Sequence, residues 1–248
     1  MRLVRSAVLG LLMLMLGAGF ATAVDQKVLL LPFAKKMELA KAGDAEAKMA
    51  VGEAFELGQG VKASAVDAAK WYREAALAGN LDAQFRLAKL VNSGAKGLKA
   101  DKAATLKLLE AAARKGHAPS QNLYGTMLEN GDGAPKDLKA AATWFNKSAK
   151  QGFAEGQNNY GIMLLKGFGV ERNLDEAFGW FKKASDQNYG WALNNLGGMY
   201  EQGWGTAKDL DKAKEFYQKA GSIGIEIGKK NFQRLSGAPA VVPPVANQ

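Results

Sequence analysis

A block of glycine, alanine and one large side chain recurs five times along the chain, with steps of 37, 36, 36 and 36 residues between Trp71, Leu108, Trp144, Trp180 and Phe216. A fixed period of this length describes a stacked array in which each unit buries its apolar face on its neighbours, not a domain closed round one catalytic pocket. Paired glycines keep the same time: Gly58 and Gly60, Gly94 and Gly97, Gly131 and Gly133, Gly167 and Gly169, Gly203 and Gly205. The one long step has a local cause, since Gly94 and Gly97 enclose two residues where the other pairs enclose one. Charged residues make up 23% of the chain and no long β-branched run occurs, so the expected class is all-α.

Each unit reads as two antiparallel helices. In the third, Leu123, Tyr124, Met127 and Leu128 recur at helical spacing before Gly131-Asp132-Gly133 ends the first helix. Asp137 then stands where a side-chain oxygen caps the second helix, and Ser64, Asp101, Asn173 and Asp209 are its equivalents. The second helices end at Gly79, Gly116, Gly152, Asn188 and Gly224, residues that tolerate a left-handed position. Small residues at Ala75, Ala112, Ser148, Ala184 and Ala220, and at Ala47, Ala83, Ser120, Gly156 and Ala192, permit close helix approach. The Trp71 row is expected to fill the space between helices, together with Val51, Leu87, Tyr124, Tyr160 and Leu196.

These residues resemble the Sel1-like repeat, a relative of the tetratricopeptide repeat. The shared pattern is Leu-Gly-x-x-Tyr, Gly-x-Gly, a capping Asp, then Trp-Tyr/Phe-x-x-Ala-Ala and Gly, and Asn195-Leu196-Gly197-Gly198-Met199-Tyr200 with Gly203-Trp204-Gly205 is a near-consensus unit. The resemblance implies a right-handed α/α superhelical solenoid. Its expected parts are repeats at 44–80, 81–117, 118–153, 154–189 and 190–224, a capping helix within 24–43, and a second within 225–236. The second repeat diverges most, with Ala88, Val91, Thr105 and Leu108 at consensus positions, which predicts looser packing or a bend there.

The two ends read differently. Basic residues 1–5, an apolar run from Ala7 to Phe20 and Ala21-Thr22-Ala23 predict a cleavable signal peptide over 1–23, with a periplasmic or secreted mature chain; an uncleaved anchor is the alternative. Cleavage would remove Arg2 and Arg5 and no acid, leaving 31 basic and 24 acidic residues, a net charge of +7. No cysteine is present, so neither disulfides nor cysteine acylation can contribute. Residues 237–248, with Pro239, Pro243 and Pro244, read as a disordered tail.

Chemistry is sparse. His117 is the single histidine, so a triad or multi-histidine metal site lacks its parts, and the chain is expected to be non-enzymatic, with no cofactor and no metal. The lysines are spread along helices without a nucleic-acid motif, so nucleic acid is not an expected partner, and neither is the membrane interior after signal cleavage. An anionic envelope glycan remains a candidate for the basic surface.

By resemblance, the first helices of successive repeats line the concave side of the superhelix, where they present a groove to a protein or peptide. Asn122, Asn158 and Asn194 form one ladder there, followed by Asn159 and Asn195, with Met127, Met163 and Met199 one turn on. Amides can bond an extended backbone and methionines adapt to varied side chains, although each row has a packing role as its alternative. Phe168 and Trp204 sit between turn glycines, where they either anchor a partner or fold back on the array. The expected function is an exported repeat scaffold for protein or peptide binding, regulating envelope signalling, secretion or host interaction. A peptidoglycan- or glycan-binding envelope protein with weak hydrolase activity is the alternative.

Overall fold

The computed structural model describes residues 28–237, so the signal segment and the Pro-rich tail from Ala238 onward lie outside the described residues. Among the described residues there are twelve helices and no strand. In chain order they are α1 (Phe33–Lys41), α2 (Ala45–Leu57), α3 (Ala65–Leu77), α4 (Leu81–Ser93), α5 (Lys102–Arg114), α6 (Ala118–Asn130), α7 (Leu138–Lys150), α8 (Ala154–Lys166), α9 (Leu174–Ser185), α10 (Gly190–Gln202), α11 (Leu210–Ser222) and α12 (Glu226–Ser236). The chain divides into two compact units within α4, in the repeat whose sequence diverges most: residues up to Leu87 with 95–98 form one, and 88–94 with everything from Lys99 form the other. In the first unit α2 packs on α1 and α3. In the second, α5 to α12 each pack on their sequence neighbours, and α6 and α8 also touch across a repeat.

Helix limits follow local chemistry. The backbone amides at Ala140, Asp67, Ala104, Glu176 and Lys212 donate to the side chains of Asp137, Ser64, Asp101, Asn173 and Asp209, so all five expected caps are made. At the other end the second helices run into left-handed residues, and Asn188, φ 59°, is the one non-glycine among the described residues to adopt such a conformation. The turn glycines carry a second constraint. Gly169 and Gly205 have φ of 67° and 63°, and a Cβ on either would collide with the carbonyl of Leu138 or Leu174, which begin the second helices of the preceding repeats. The turn thus docks backbone to backbone, which only glycine allows.

The core differs from expectation in one respect. Trp71, Trp144, Trp180 and Phe216 are only half-buried, and the residues that fill the helix interfaces are their successors Tyr72, Leu109, Phe145, Phe181 and Tyr217. One residue along a helix is a rotation of about 100°, enough to move the Trp row to the rim. There the rings meet aromatic partners: Tyr124 with Trp144 at 5.4 Å and Tyr160 with Trp180 at 5.8 Å, both edge-on.

The buried successors lie on the first-helix glycines. A Cβ on Gly52, Gly125, Gly161 or Gly197 would come within 2.6, 2.9, 2.8 and 2.8 Å of the rings of Tyr72, Phe145, Phe181 and Tyr217 respectively. In the divergent repeat the same two rows hold Ala88 and Leu109, an added methyl group beside a lost ring. The small row is buried as well, and Ser148 Oγ donates to the Ala118 carbonyl at 2.9 Å, joining the end of α7 to the start of α6 in an antiparallel pair.

Carboxylates tie two of the rings to the following helix. In the first unit the Tyr72 hydroxyl donates to Glu56 at 2.5 Å, and Arg86 donates to Glu53 and Glu56 at 2.9 and 3.3 Å. In the second, Tyr217 and Arg234 donate to Glu201 at 2.8 and 2.7 Å, fixing α12 to the helix pair beneath it.

Two outcomes test this packing. Gly161→Leu should lower stability by at least the about 1–3 kcal/mol of an overpacked core, read as a lower Tm, whereas an unchanged melt would mean Phe181 does not seat there. Hydrogen bonding from Arg234, and then from Tyr217, holds the Glu201 carboxyl below the usual carboxylate range. A depressed folded-state pKa contributes stability above the unfolded value of 4.5, and that stability is lost as pH falls through the folded value. Glu201→Gln should therefore weaken the protein at neutral pH and flatten the decline of its urea midpoint below pH 4.5; parallel profiles for the two proteins would refute the assignment.

Candidate functional site

Within the second unit the first helices α6, α8, α10 and α12 place their asparagines in reach of one another. Asn159 Nδ2 donates to Asn122 Oδ1 at 2.9 Å, Asn195 to Asn158 at 2.9 Å and Asn231 to Asn194 at 3.1 Å. Each step joins one repeat to the next. Asn158 Nδ2 also donates to Asn159 Oδ1 at 3.3 Å, so one continuous line runs from Asn195 through Asn158 and Asn159 to Asn122. Asn122 passes it on, donating at 3.2 Å to Glu155 Oε2. The three asparagine pairs are directional, each donor nitrogen pointing to the preceding repeat, whereas the Asn122 nitrogen points forward to α8.

These bonds define what the ladder can still do. Asn122 and Asn158 are buried, while Asn159, Asn194 and Asn195 are part-exposed. An amide has two donor hydrogens and two acceptor lone pairs, so the bonded residues keep capacity for a ligand on their accessible atoms. Met127, Met163 and Met199 are 3%, 1% and 1% exposed, and their side chains belong to the interior of the unit. Phe168 and Trp204 are each 39% exposed on their turns, and Lys166 Nζ stands 5.4 Å from the Phe168 ring centre. His117 begins α6 and places Nδ1 2.7 Å from Ser120 Oγ.

Two features adjoining the ladder were not expected. Glu155 opens α8, and although its side chain reaches solvent, protein atoms crowd its carboxyl; this partial burial pushes its pKa up against the opposing pull of Lys89. The Tyr189 phenol is pushed up to about 12, first by burial and then by the charge of Glu155. The second feature is Trp191, 52% exposed, with Ile227 beside it in repeat register. Their position in the repeat reads Glu46, Asp82, Pro119, Glu155, Trp191, Ile227, so a row that is acidic except at Pro119 turns to large apolar residues in the last repeat and the cap. That switch is visible once each repeat is written beneath the last. Asn194 and Asn195 lie one helical turn beyond Trp191.

Among the described residues no group of three or more His, Cys, Asp or Glu is placed to hold a metal ion, and no helix is long and apolar enough to cross a membrane.

Asn158→Leu should leave the Asn195 nitrogen and the Asn159 oxygen without partners, lowering stability by about 1–3 kcal/mol. Adding Asn195→Leu should cost less than the sum of the two single changes in urea unfolding; strict additivity would show that the two amides are not coupled.

The comparisons with known proteins agree with the fold. A protective antigen of uropathogenic Escherichia coli strains displaying an SLR fold shares 28% identity at a TM-score of 0.76, over 83% of this chain and 44% of that one. The chain therefore spans under half the length of that antigen. A Sel1 repeat protein from Oxalobacter formigenes shares the fold at 24% identity and a TM-score of 0.73, over 81% of this chain and 86% of that one. No curated protein matches. The Sel1 repeat profile matches residues 44–80, 81–117, 118–153, 154–189 and 192–224, and the chain belongs to the Sel1 repeat family.

Proposed function

We propose that this protein is an exported, non-enzymatic scaffold that binds an extended protein or peptide segment along the first-helix face of its C-terminal repeats. The observation that carries the reading is the exposed Trp191 standing one turn from the part-exposed Asn194 and Asn195. An aromatic anchor beside amides with spare donors and acceptors is the pairing needed to hold a partner's side chain and its backbone together. Membership of a family of repeat scaffolds supports the same reading. Export rests on the sequence of residues 1–23, and regulation of envelope signalling, secretion or host contact follows from export.

The alternative is a peptidoglycan- or glycan-binding envelope protein, favoured by the net positive charge of the chain. Electrostatic binding of that kind fades as salt rises, whereas an apolar anchor is little affected.

One experiment separates the readings. The full chain, carrying a photo-crosslinker at Asn195 and expressed with its N-terminal segment, should mature with Val24 as its first residue and form a discrete crosslinked protein adduct in the envelope fraction. Trp191→Ser should abolish the adduct while leaving the melting temperature unchanged. Recovery of the same adduct in the Trp191→Ser protein would sink the peptide-face reading, and salt-sensitive pelleting with purified peptidoglycan in place of an adduct would favour the alternative.

A further inference from the structure

The second helix of the third repeat differs from its counterparts in charge, and from that of the fourth in bulk. Helix α7 carries Lys139, Lys147 and Lys150 and no acidic residue, whereas α9 offsets its lysines with Asp175 and Glu176, and α11 with Asp211 and Glu215. Where α9 holds Phe178, α7 holds Ala142. Phe178 packs edge-on against Tyr200 of α10 at 5.4 Å, while the corresponding positions around α7 are Ala142 and Leu164.

The missing ring leaves a recess of about 250 Å³ between α7, Tyr160 of α8 and Val170 in the following turn. Lys147 and Lys150 stand at its edge, both exposed and neither with a carboxylate partner among the described residues. The Lys147 ammonium lies 4.0 Å from the centre of the Trp144 ring, which holds it in place. Asn146 also lines the recess, and its Oδ1 is the one buried side-chain polar atom among the described residues that meets no hydrogen-bond partner. Leaving a buried acceptor unpaired is costly, and a turn of the Asn146 amide into the recess would let a donor arriving from outside remove that cost.

We propose that this recess is a binding site for an acidic residue of a partner polypeptide. The carboxylate sits between Lys147 and Lys150, the backbone N–H of the same residue donates to Asn146 Oδ1, and the side-chain methylenes rest on Tyr160 and Val170. The volume suits a single residue and falls below that of ordinary small-molecule pockets. A peptide acid matches the vacant groups: one anion for the lysines and one donor for the lone acceptor. An acidic sugar brings several hydroxyls for which the recess has no buried partners. The site lies on the second helix and stands whether or not the first-helix face binds a partner.

Titration of the isotope-labelled full chain with N-acetyl-glutamic acid α-amide tests it by NMR. Saturable shifts are expected at the Asn146 side-chain amide and at the Val170 backbone, weakening as salt is added. Lys147→Gln with Lys150→Gln should weaken binding by about tenfold or more. Both lysines are exposed, so that variant keeps its fold. The uncharged probe N-acetyl-glutamine α-amide should give no saturable response, and Ala142→Phe, which restores the ring found one repeat later, should abolish binding by filling the recess. The proposal is overturned by absent or non-saturating shifts, by undiminished binding in the double lysine variant, by an equal response to the glutamine probe, or by tighter binding of glucuronate.

Discussion

Everything in the array depends on a ring lying on a glycine. Tyr72 on Gly52, Phe145 on Gly125, Phe181 on Gly161 and Tyr217 on Gly197 set the separation of each helix pair, because the ring occupies the space a Cβ would need. Close-packed interiors respond sharply to a single added carbon. Where this pairing lapses, at Ala88 and Leu109, the chain also divides into its two units. The four ring-bearing repeats are regular; the second, where the pairing lapses, is the one in which the two units meet in sequence.

The polar groups answer to a second requirement. Stacked helices bring side chains of neighbouring repeats together, and a buried amide must find a partner. Gln151 donates to Gln121 at 2.6 Å and Gln187 to Gln157 at 2.8 Å, each pair tying the end of a second helix to the first helix of the same repeat. The asparagine pairs instead pin register between repeats, while their remaining hydrogen-bonding groups stay available wherever the side chain reaches water. An amide both donates and accepts, so one residue type can pair with its own kind in successive repeats.

Much of this was legible in the sequence. Caps, turn glycines and small residues report local backbone needs, and Asp137, Asn188 and Ala184 meet the needs their positions predict. The period alone could not distinguish Trp180 from Phe181, since adjacent residues recur equally well and only the direction of the helix face decides which is buried. The ladder was half legible: the rows were visible, but the pairing of Asn122 with Asn159 depends on a one-residue offset between stacked helices. The recess beside Asn146 was hidden for a plainer reason. It exists because Ala142 lacks a ring, and a small residue in an alanine-rich helix carries no signal of the space around it.

Because Asn159, Asn195 and Asn231 each reach back to the preceding first helix, the module that repeats in sequence is not closed in energy. A cut between α10 and α11 falls inside the last repeat, yet so would any cut placed at its end, since Asn194 takes its donor from Asn231 of the capping helix. No phasing of the cut avoids this, because α8 and α10 are each bonded through asparagine to the first helix before and the first helix after. Exchanging repeats between such arrays would therefore preserve the bond only where both sides of the junction carry the matching asparagines.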